Sequence, residues 1–371
     1  MKNVFGSSIS VTLFGESHGE QIGAVLDGVA PGIAIDMDFI CKQLELRKPY
    51  GKISTQRVEA DEPHIVSGVF EGKTTGTPIC ILFENNNTKS KDYSKTKDLM
   101  RPGHADYTAL QKYHGFADYR GGGHFSGRLT TPIVAVGAIL IQALQKKGIY
   151  IGSHIKKCGQ IEDRAFENYC DDIEKVNGLR FPVLDEKVAE KMHDYMLEAV
   201  GEGDSVGGVL ETVVIGVPAG VGEPWFDSVE SVLSHGLFSI PAVKGVEFGE
   251  GFGFAELKGS QGNDAFDIQE GKVITKTNHN GGINGGITNG MPLHFKTVIK
   301  ATPSIYKQQE TVNMKTMENT MLQIEGRHDP AIIHRARVVV DSMTAIVLAD
   351  LLAIRYGTDW LRGDDENESD N

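Results

Sequence analysis

Cysteine is scarce: Cys41, Cys80, Cys158 and Cys170 are the only four in 371 residues, and none shows CxxC or Cys/His ligand spacing. Neither a disulfide framework nor a structural zinc site is signalled, and no metal is expected. Uninterrupted apolar runs approaching ~18 residues are missing, so no membrane span is read. The opening MKNVFGSSISVTLFGESHGE has no sustained apolar block and no small-residue cleavage site, and a cytoplasmic protein is expected. Basic charge is in deficit, with 37 Lys and Arg against 50 Asp and Glu and a formal net charge of -13. That balance speaks against nucleic acid or an anionic membrane as a partner, since both need a basic face. Internal repeats and clear linkers are absent as well.

Against this acidic background the local sign reverses over residues 101–128, where Arg101, His104, Lys112, His114, Arg120, His124 and Arg128 face only Asp106 and Asp118. The stretch ends in RGGGHFSGR, three consecutive glycines between Arg120 and His124, closed by Arg128. Glycine lets another group approach the main chain, and successive free N–H groups can form an anion-binding concavity. Arginine forks and a titratable imidazole suit phosphate or carboxylate. A basic pocket in an acidic protein points to a small anionic ligand.

Segments 8–15, 77–84, 207–218, 292–300 and 336–340 alternate or are β-branched and read as strands. Residues 132–148, 185–203 and 341–357 read as helices, the first with Pro132 in its opening turn and the first and third stopping at glycine. Strands and helices do not alternate regularly, so a mixed α+β architecture is expected rather than a doubly wound parallel sheet. The polar stretch 84–100 reads as a surface loop or lid. GVFEGKTT, 68–75, is one residue short of a phosphate loop and reads as a hairpin turn, while NGGINGGITNG, 280–290, does not fit dinucleotide spacing. Residues 1–360 form one expected domain, followed by an acidic tail, 361–371, expected to be disordered.

Four segments concentrate Gly, His, Arg and Asp: FGESHGEQIG (14–23), RPGHADYTALQKY (101–113) with YRGGGHFSGR (119–128), the run 279–305, and GRHDPAIIHRA (326–336). With LSHGLFSIPAVKGVEFG (233–249) and SGVFEGKTTGTP (67–78), they resemble the chorismate synthase family in motif and in order, from about residue 5 to 355. The resemblance implies a homotetrameric lyase of βαβ-sandwich fold. Its reaction converts 5-enolpyruvylshikimate 3-phosphate to chorismate and phosphate by 1,4-elimination, with reduced FMN required and no net redox change. Some members also reduce their flavin with NADPH, and no dinucleotide fingerprint is needed for that.

By the same resemblance His18 matches the acid that assists phosphate departure. His104 matches the histidine beside the flavin, and Asp329 the residue that assists proton transfer at flavin nitrogen 5. The flavin site would take His124, Phe125, Ser126, Pro241, Ala242, Gly285, Lys300, Ala301, Thr302, Pro303, Ser304 and Arg327. Substrate anions would meet Arg47, Lys52, Arg101, Arg128 and Arg335. Asp329 could instead hold a turn before Pro330 or pair with Arg327. In two places the chain departs from the family pattern. Lys48 and Lys52 stand in arginine places, and His124-Phe125-Ser126 replaces Arg-Ser-Ser, a titratable charge for a permanent one. A flavin-binding electron-transfer module without lyase activity, and a phosphosugar-binding protein without catalysis, are the alternative readings.

Overall fold

The architecture follows from how two antiparallel sheets hide their apolar faces. The computed structural model describes residues 2–55, 60–86, 97–324 and 329–362. Most of the 84–100 loop, Arg327 and residues 363–371 of the acidic tail lie outside the described residues. One sheet runs, in spatial order, Val4–Phe5, Ser10–Gly15, Gln21–Asp27, Ile79–Glu84 and His64–Ser67. The other runs Val243–Phe248, Leu293–Ile299, Gly208–Ile215, Tyr150–Cys158 and Ile161–Glu162. Alternation sets the inward faces: Ile79, Ile81 and Phe83 are buried on one sheet, and Leu293, Phe295 and Ile299 on the other. Neighbouring strands in both sheets pair antiparallel, as the mixed α+β reading requires.

Helices fill the space between the sheets. The central helix Thr130–Lys146 packs against the first sheet and against the C-terminal helix Ile333–Tyr356, which in turn packs on the second sheet. The result is the expected sandwich, with one continuous core that includes Ile9, Val134, Leu210 and Leu348. The stretch Gly127–Lys146 is long and apolar enough to cross a membrane, but 89% of it is buried inside the protein, so here it is the core helix. Pro132 sits in its first turn, where a missing N–H costs nothing. Asp350 ties the C-terminal helix to the first sheet by accepting hydrogen bonds from the backbone N–H groups of Ser7, Ser8 and Ile9 at 2.9, 2.7 and 2.9 Å.

Four of the five expected strands are present, but residues 336–340 are helical, as the early turns of Ile333–Tyr356. The run Val338-Val339-Val340 favours a strand locally, yet all three side chains are buried between helix and sheet. A helix buried on every side loses the apolar–polar period that would have marked it. Arg337 and Asp341, one turn apart and both buried, form an ion pair at 3.3 Å inside it. The GVFEGKTT segment is a hairpin, Val69–Phe70 against Lys73–Thr74, as expected. The 280–290 run folds into the small hairpin Ile283–Asn284 and Ile287–Thr288. The backbone that Gly281 approaches is that of Gly249, 2.6 Å from where a Cβ would stand.

The two core helices touch at Gly137, where an added Cβ would lie 2.3 Å from Ser342 Cβ and 2.6 Å from its Cα. Backbone cannot rotate away, so the helices would have to separate. Gly137→Ala is therefore expected to cost about 1–3 kcal/mol net of its better helix propensity, read as a lower midpoint in denaturant unfolding with unchanged slope. His334, in the first turn of the C-terminal helix, is buried, and its Nε2 lies 2.9 Å from Ser54 Oγ. Burial, helped by Arg335 and opposed by Asp329, pulls its pKa from an ordinary 6.5 down to about 3. The unfolded chain takes up this proton as pH falls below 6.5 and the fold does not, so the stabilisation is full above 6.5 and lost toward 3. Depressed carboxylates act in the same direction. The comparison is therefore with His334→Gln, whose stability should rise less steeply between about pH 4 and 6, by up to ~1.4 kcal/mol per pH unit. Equal slopes would mean that the folded His334 titrates normally.

Candidate functional site

A cleft of about 1840 Å³ opens beside the end of the first sheet. Its walls come from segments far apart in the chain: Leu13–Glu16 with His18, residues 97–128, Phe238–Lys244, Lys300 with Thr302–Ser304, and Asp329–Arg335. Ser17, at the end of the strand Ser10–Gly15, donates its backbone N–H to Gly123 O at 3.2 Å and joins that wall to the glycine triplet.

The triplet is a turn that only glycine suits, with φ of 59°, 88° and 53° at Gly121, Gly122 and Gly123. What fills the space of the missing side chains is imidazole. A Cβ on Gly121 would lie 2.3 Å from His18 Cε1 and 2.4 Å from its Nδ1. One on Gly122 would lie 3.3 Å from His104 Cε1 and 3.5 Å from Nε2, and one on Gly123 would strike Asp118 O at 2.1 Å. Two histidines separated by 86 positions thus rest on adjacent residues. The space left beside this bare backbone is taken by two rings.

Each ring has a partner at its Nδ1. His18 is buried, its Nδ1 3.2 Å from Ser17 Oγ. His104 Nδ1 lies 2.9 Å from Asp106 Oδ1. His124 Nδ1 lies 2.8 Å from the carbonyl of Gly15, which can only accept, so this nitrogen carries the proton and only the other edge can meet a ligand.

Among the described residues every arginine lining the cleft is already paired. Arg101 donates Nε and Nη2 to the two oxygens of Asp106 at 2.7 Å each. Arg335 donates to Asp329 Oδ2 at 2.7 Å and to the carbonyl of Arg47 at 2.7 Å. Arg47 reaches Asp61 Oδ2 at 2.9 Å, and Arg128 bonds the other oxygen of the same carboxylate. Beside the cleft, Arg120 pairs with Asp118 at 2.8 Å. Burial would raise the Asp61 carboxyl, but Arg47 and Arg128 outweigh it and hold it below the ordinary range. Asp106 is likewise pushed up by burial and carried well below the usual carboxylate range by Arg101 and His104. Arg47 is lowered to about 10 by burial, with Asp61 opposing and Arg335 and Arg128 adding to the drop, so it stays charged at neutral pH.

Of the residues singled out in the sequence, His18, His104, Asp329, His124, Phe125, Ser126, Pro241, Ala242, Lys300, Thr302, Pro303, Ser304, Arg47, Arg101, Arg128 and Arg335 line this one cleft. Lys52, Gly285 and Ala301 do not line it. Lys52 is exposed in the short turn Gly51–Ile53, and Gly285 is exposed in the Ile283–Thr288 hairpin. Asp329 accepts from Thr55 N–H at 2.8 Å and from Arg335, so its pairing partner among the described residues is Arg335 rather than Arg327. Sequence reasoning missed Asp61, whose acidic stretch VEADE carries no sign that it will lie between two arginines. It also missed Ser17, hidden inside a motif noted for its histidine. Two atoms at the cleft are shielded without a partner among the described residues, Arg47 Nε and Thr302 Oγ1. Among the described residues no group of His, Cys, Asp or Glu is arranged to hold a metal.

The chorismate synthase family model matches residues 9–353. A chorismate synthase of Pyrococcus abyssi is 48% identical over 351 residues, covering 94% of this chain and 97% of the relative. One of Dehalococcoides mccartyi is 46% identical, covering 96% and 98%. A solved structure titled "Crystal Structure of Chorismate Synthase" matches with a TM-score of 0.74 at 28% identity, over 95% of this chain and 94% of that one. With motifs, fold and relatives in agreement over nearly its whole length, the chain belongs to the chorismate synthase family of lyases.

Proposed function

We propose that this protein converts 5-enolpyruvylshikimate 3-phosphate to chorismate and inorganic phosphate by 1,4-elimination, with reduced FMN as a cofactor that undergoes no net redox change. The observation that carries this reading is the convergence of His18 and His104 on Gly121 and Gly122, in a cleft walled by Arg47, Arg101, Arg128 and Arg335. A phosphate leaving a sugar-like ring needs positive charge around its oxygens and a proton donor. The substrate has a phosphate and two carboxylates for the four arginines to hold.

The cleft also fits a second, larger anionic guest. Its volume is ample for both molecules, and Arg47 Nε and Thr302 Oγ1 are polar atoms without partners among the described residues. The residues that would hold FMN are His124 to Ser126, Pro241 and Ala242, and Lys300 with Thr302 to Ser304. When bound, reduced FMN supplies electron density that assists loss of the phosphate and recovers it within the cycle. The protein's own part is to bind and orient. His18 donates a proton toward the departing phosphate, and His104, against the neighbouring glycine, holds a proton. Asp329 fixes Arg335 and the backbone of Thr55. A cytoplasmic homotetramer is the proposed working form, and large exposed apolar side chains such as Trp225, Phe226 and Phe252 support self-association.

Mixing protein, reduced FMN and the phosphorylated substrate under anaerobic conditions should release many phosphates per FMN, with no stoichiometric reductant consumed. One reductant spent per product would make this an ordinary oxidoreductase, and flavin binding without phosphate release would favour an electron-transfer module. His18→Ala and His104→Ala should each lower turnover about 10²–10⁴-fold while the folded spectrum is retained. A variant keeping more than about half of the wild-type rate would remove that histidine from the mechanism.

A further inference from the structure

We propose that Asp106 is a positioning residue that decides which nitrogen of His104 carries the proton, so that the Nε2 edge over Gly122 is the one offered to the cleft. The kinetic part of this proposal rests on the chorismate synthase reading; the assignment of the proton does not.

Two groups meet His104 Nδ1 and ask opposite things of it. Asp106 Oδ1, at 2.9 Å, can only accept a hydrogen bond, whereas Arg101 Nη2, at 3.1 Å, can only donate one. Arg101 has its Nε and Nη2 committed to the two oxygens of Asp106, at 2.7 Å each, and the Arg101 backbone N–H donates a third bond to Asp106 Oδ2 at 3.0 Å. A carboxylate held by that many donors stays ionised. A bare Nδ1 would then place its lone pair 2.9 Å from a carboxylate oxygen, a repulsive contact that the longer approach of Arg101 cannot offset. Nδ1 therefore carries hydrogen and donates to Asp106. The remaining nitrogen, Nε2, lies on the ring edge that rests on Gly122, where a Cβ would stand 3.5 Å away. A neutral His104 thus presents a lone pair to the cleft, and a charged one presents a donor. Asp106 lines the same cleft but spends both oxygens on Arg101 and His104, so it acts through the histidine.

The assignment can be read in the ligand-free protein by long-range ¹H–¹⁵N correlation of the imidazole nitrogens, with His104→Gln identifying the signal. The wild type is expected to show the Nδ1–H tautomer of neutral His104, and an Nε2–H tautomer there would overturn the proposal whether or not any variant folds. In Asp106→Asn the guanidinium claims the single amide oxygen and leaves only N–H groups facing Nδ1, so the proton should move to Nε2. With that exchange kcat should fall about 10²–10⁴-fold while KM for the phosphorylated substrate stays within about threefold, because Arg101 is retained. Asp106→Glu, which keeps the carboxylate, should restore the Nδ1–H signal and part of the rate. An Asn variant that keeps Nδ1–H, or one whose kcat stays within about threefold of wild type, sinks the positioning role. If the wild-type tautomer is as expected but no phosphate is released by the wild-type enzyme, the lyase reading fails and the proton assignment stands.

Discussion

Imidazole rings can lie against main chain only where the main chain carries nothing, and that constraint organises the cleft. His18 and His104 come from distant parts of the chain and rest on Gly121 and Gly122. The turn that bears these glycines is held from both ends. Upstream, the Ser17 N–H bonds Gly123 O and ties the triplet to the first sheet. Downstream, residues 127–129 wind into the central helix, whose apolar faces are buried in the core. Packing of helix against sheet therefore fixes the separation of two side chains that have no covalent closeness at all. A rigid scaffold with the reactive groups on a short loop is the arrangement that keeps such groups within tenths of an ångström of a working geometry.

Charge in the cleft obeys a second rule, that a buried guanidinium needs a counter-ion. Each arginine has found one, and Asp61 serves two. An anionic ligand entering this site does not meet free guanidinium groups at Arg47, Arg101, Arg128 or Arg335. It has to share or displace carboxylates that are already well placed, so net affinity depends on geometry more than on the number of arginines. Pairing of this kind lets an acidic protein hold Arg47, Arg101, Arg128 and Arg335 together in one cleft.

Much of this was legible in the sequence because the motifs are local. The strand SISVTLFG, the hairpin around Gly68 and Gly72, and the helix with Pro132 in its first turn all announce themselves through turn residues and periodicity over a few positions. The helical start at Ala336–Val340 did not, since burial on every side erased its period and left only the β-branched preference of three valines. In the site, residues inside dense Gly/His/Arg motifs were recognisable, whereas their counter-ions were not. Counting charges over residues 101–128 makes the pocket look basic, but Asp61 and Asp329 arrive from elsewhere in the chain to pair with Arg128, Arg47 and Arg335. The triple glycine was read correctly as a place of close approach, but the spacing of glycines says that something comes near and not that two imidazole rings are among it.

The buried histidine of the second sheet shows what separates a structural imidazole from one that can work on a ligand. His154 is fully buried, with Nδ1 2.9 Å from Asp163 and Nε2 2.7 Å from Glu211, and Glu211 continues to His294 at 2.8 Å. Burial alone would lower its pKa, but the two carboxylates outweigh that and raise it. Both edges of that ring are spent, so it ties its own strand to Asp163 and to the strand of Glu211 and can exchange nothing with a guest. His104 and His124 carry similar partners on one edge only, a carboxylate for the first and the Gly15 carbonyl for the second, and turn the other edge toward the cleft. By chemistry alone the three residues are alike, each an imidazole anchored by oxygen. The distinction lies in how many ring nitrogens the fold has claimed, and that number is set by tertiary placement, which no window of sequence contains.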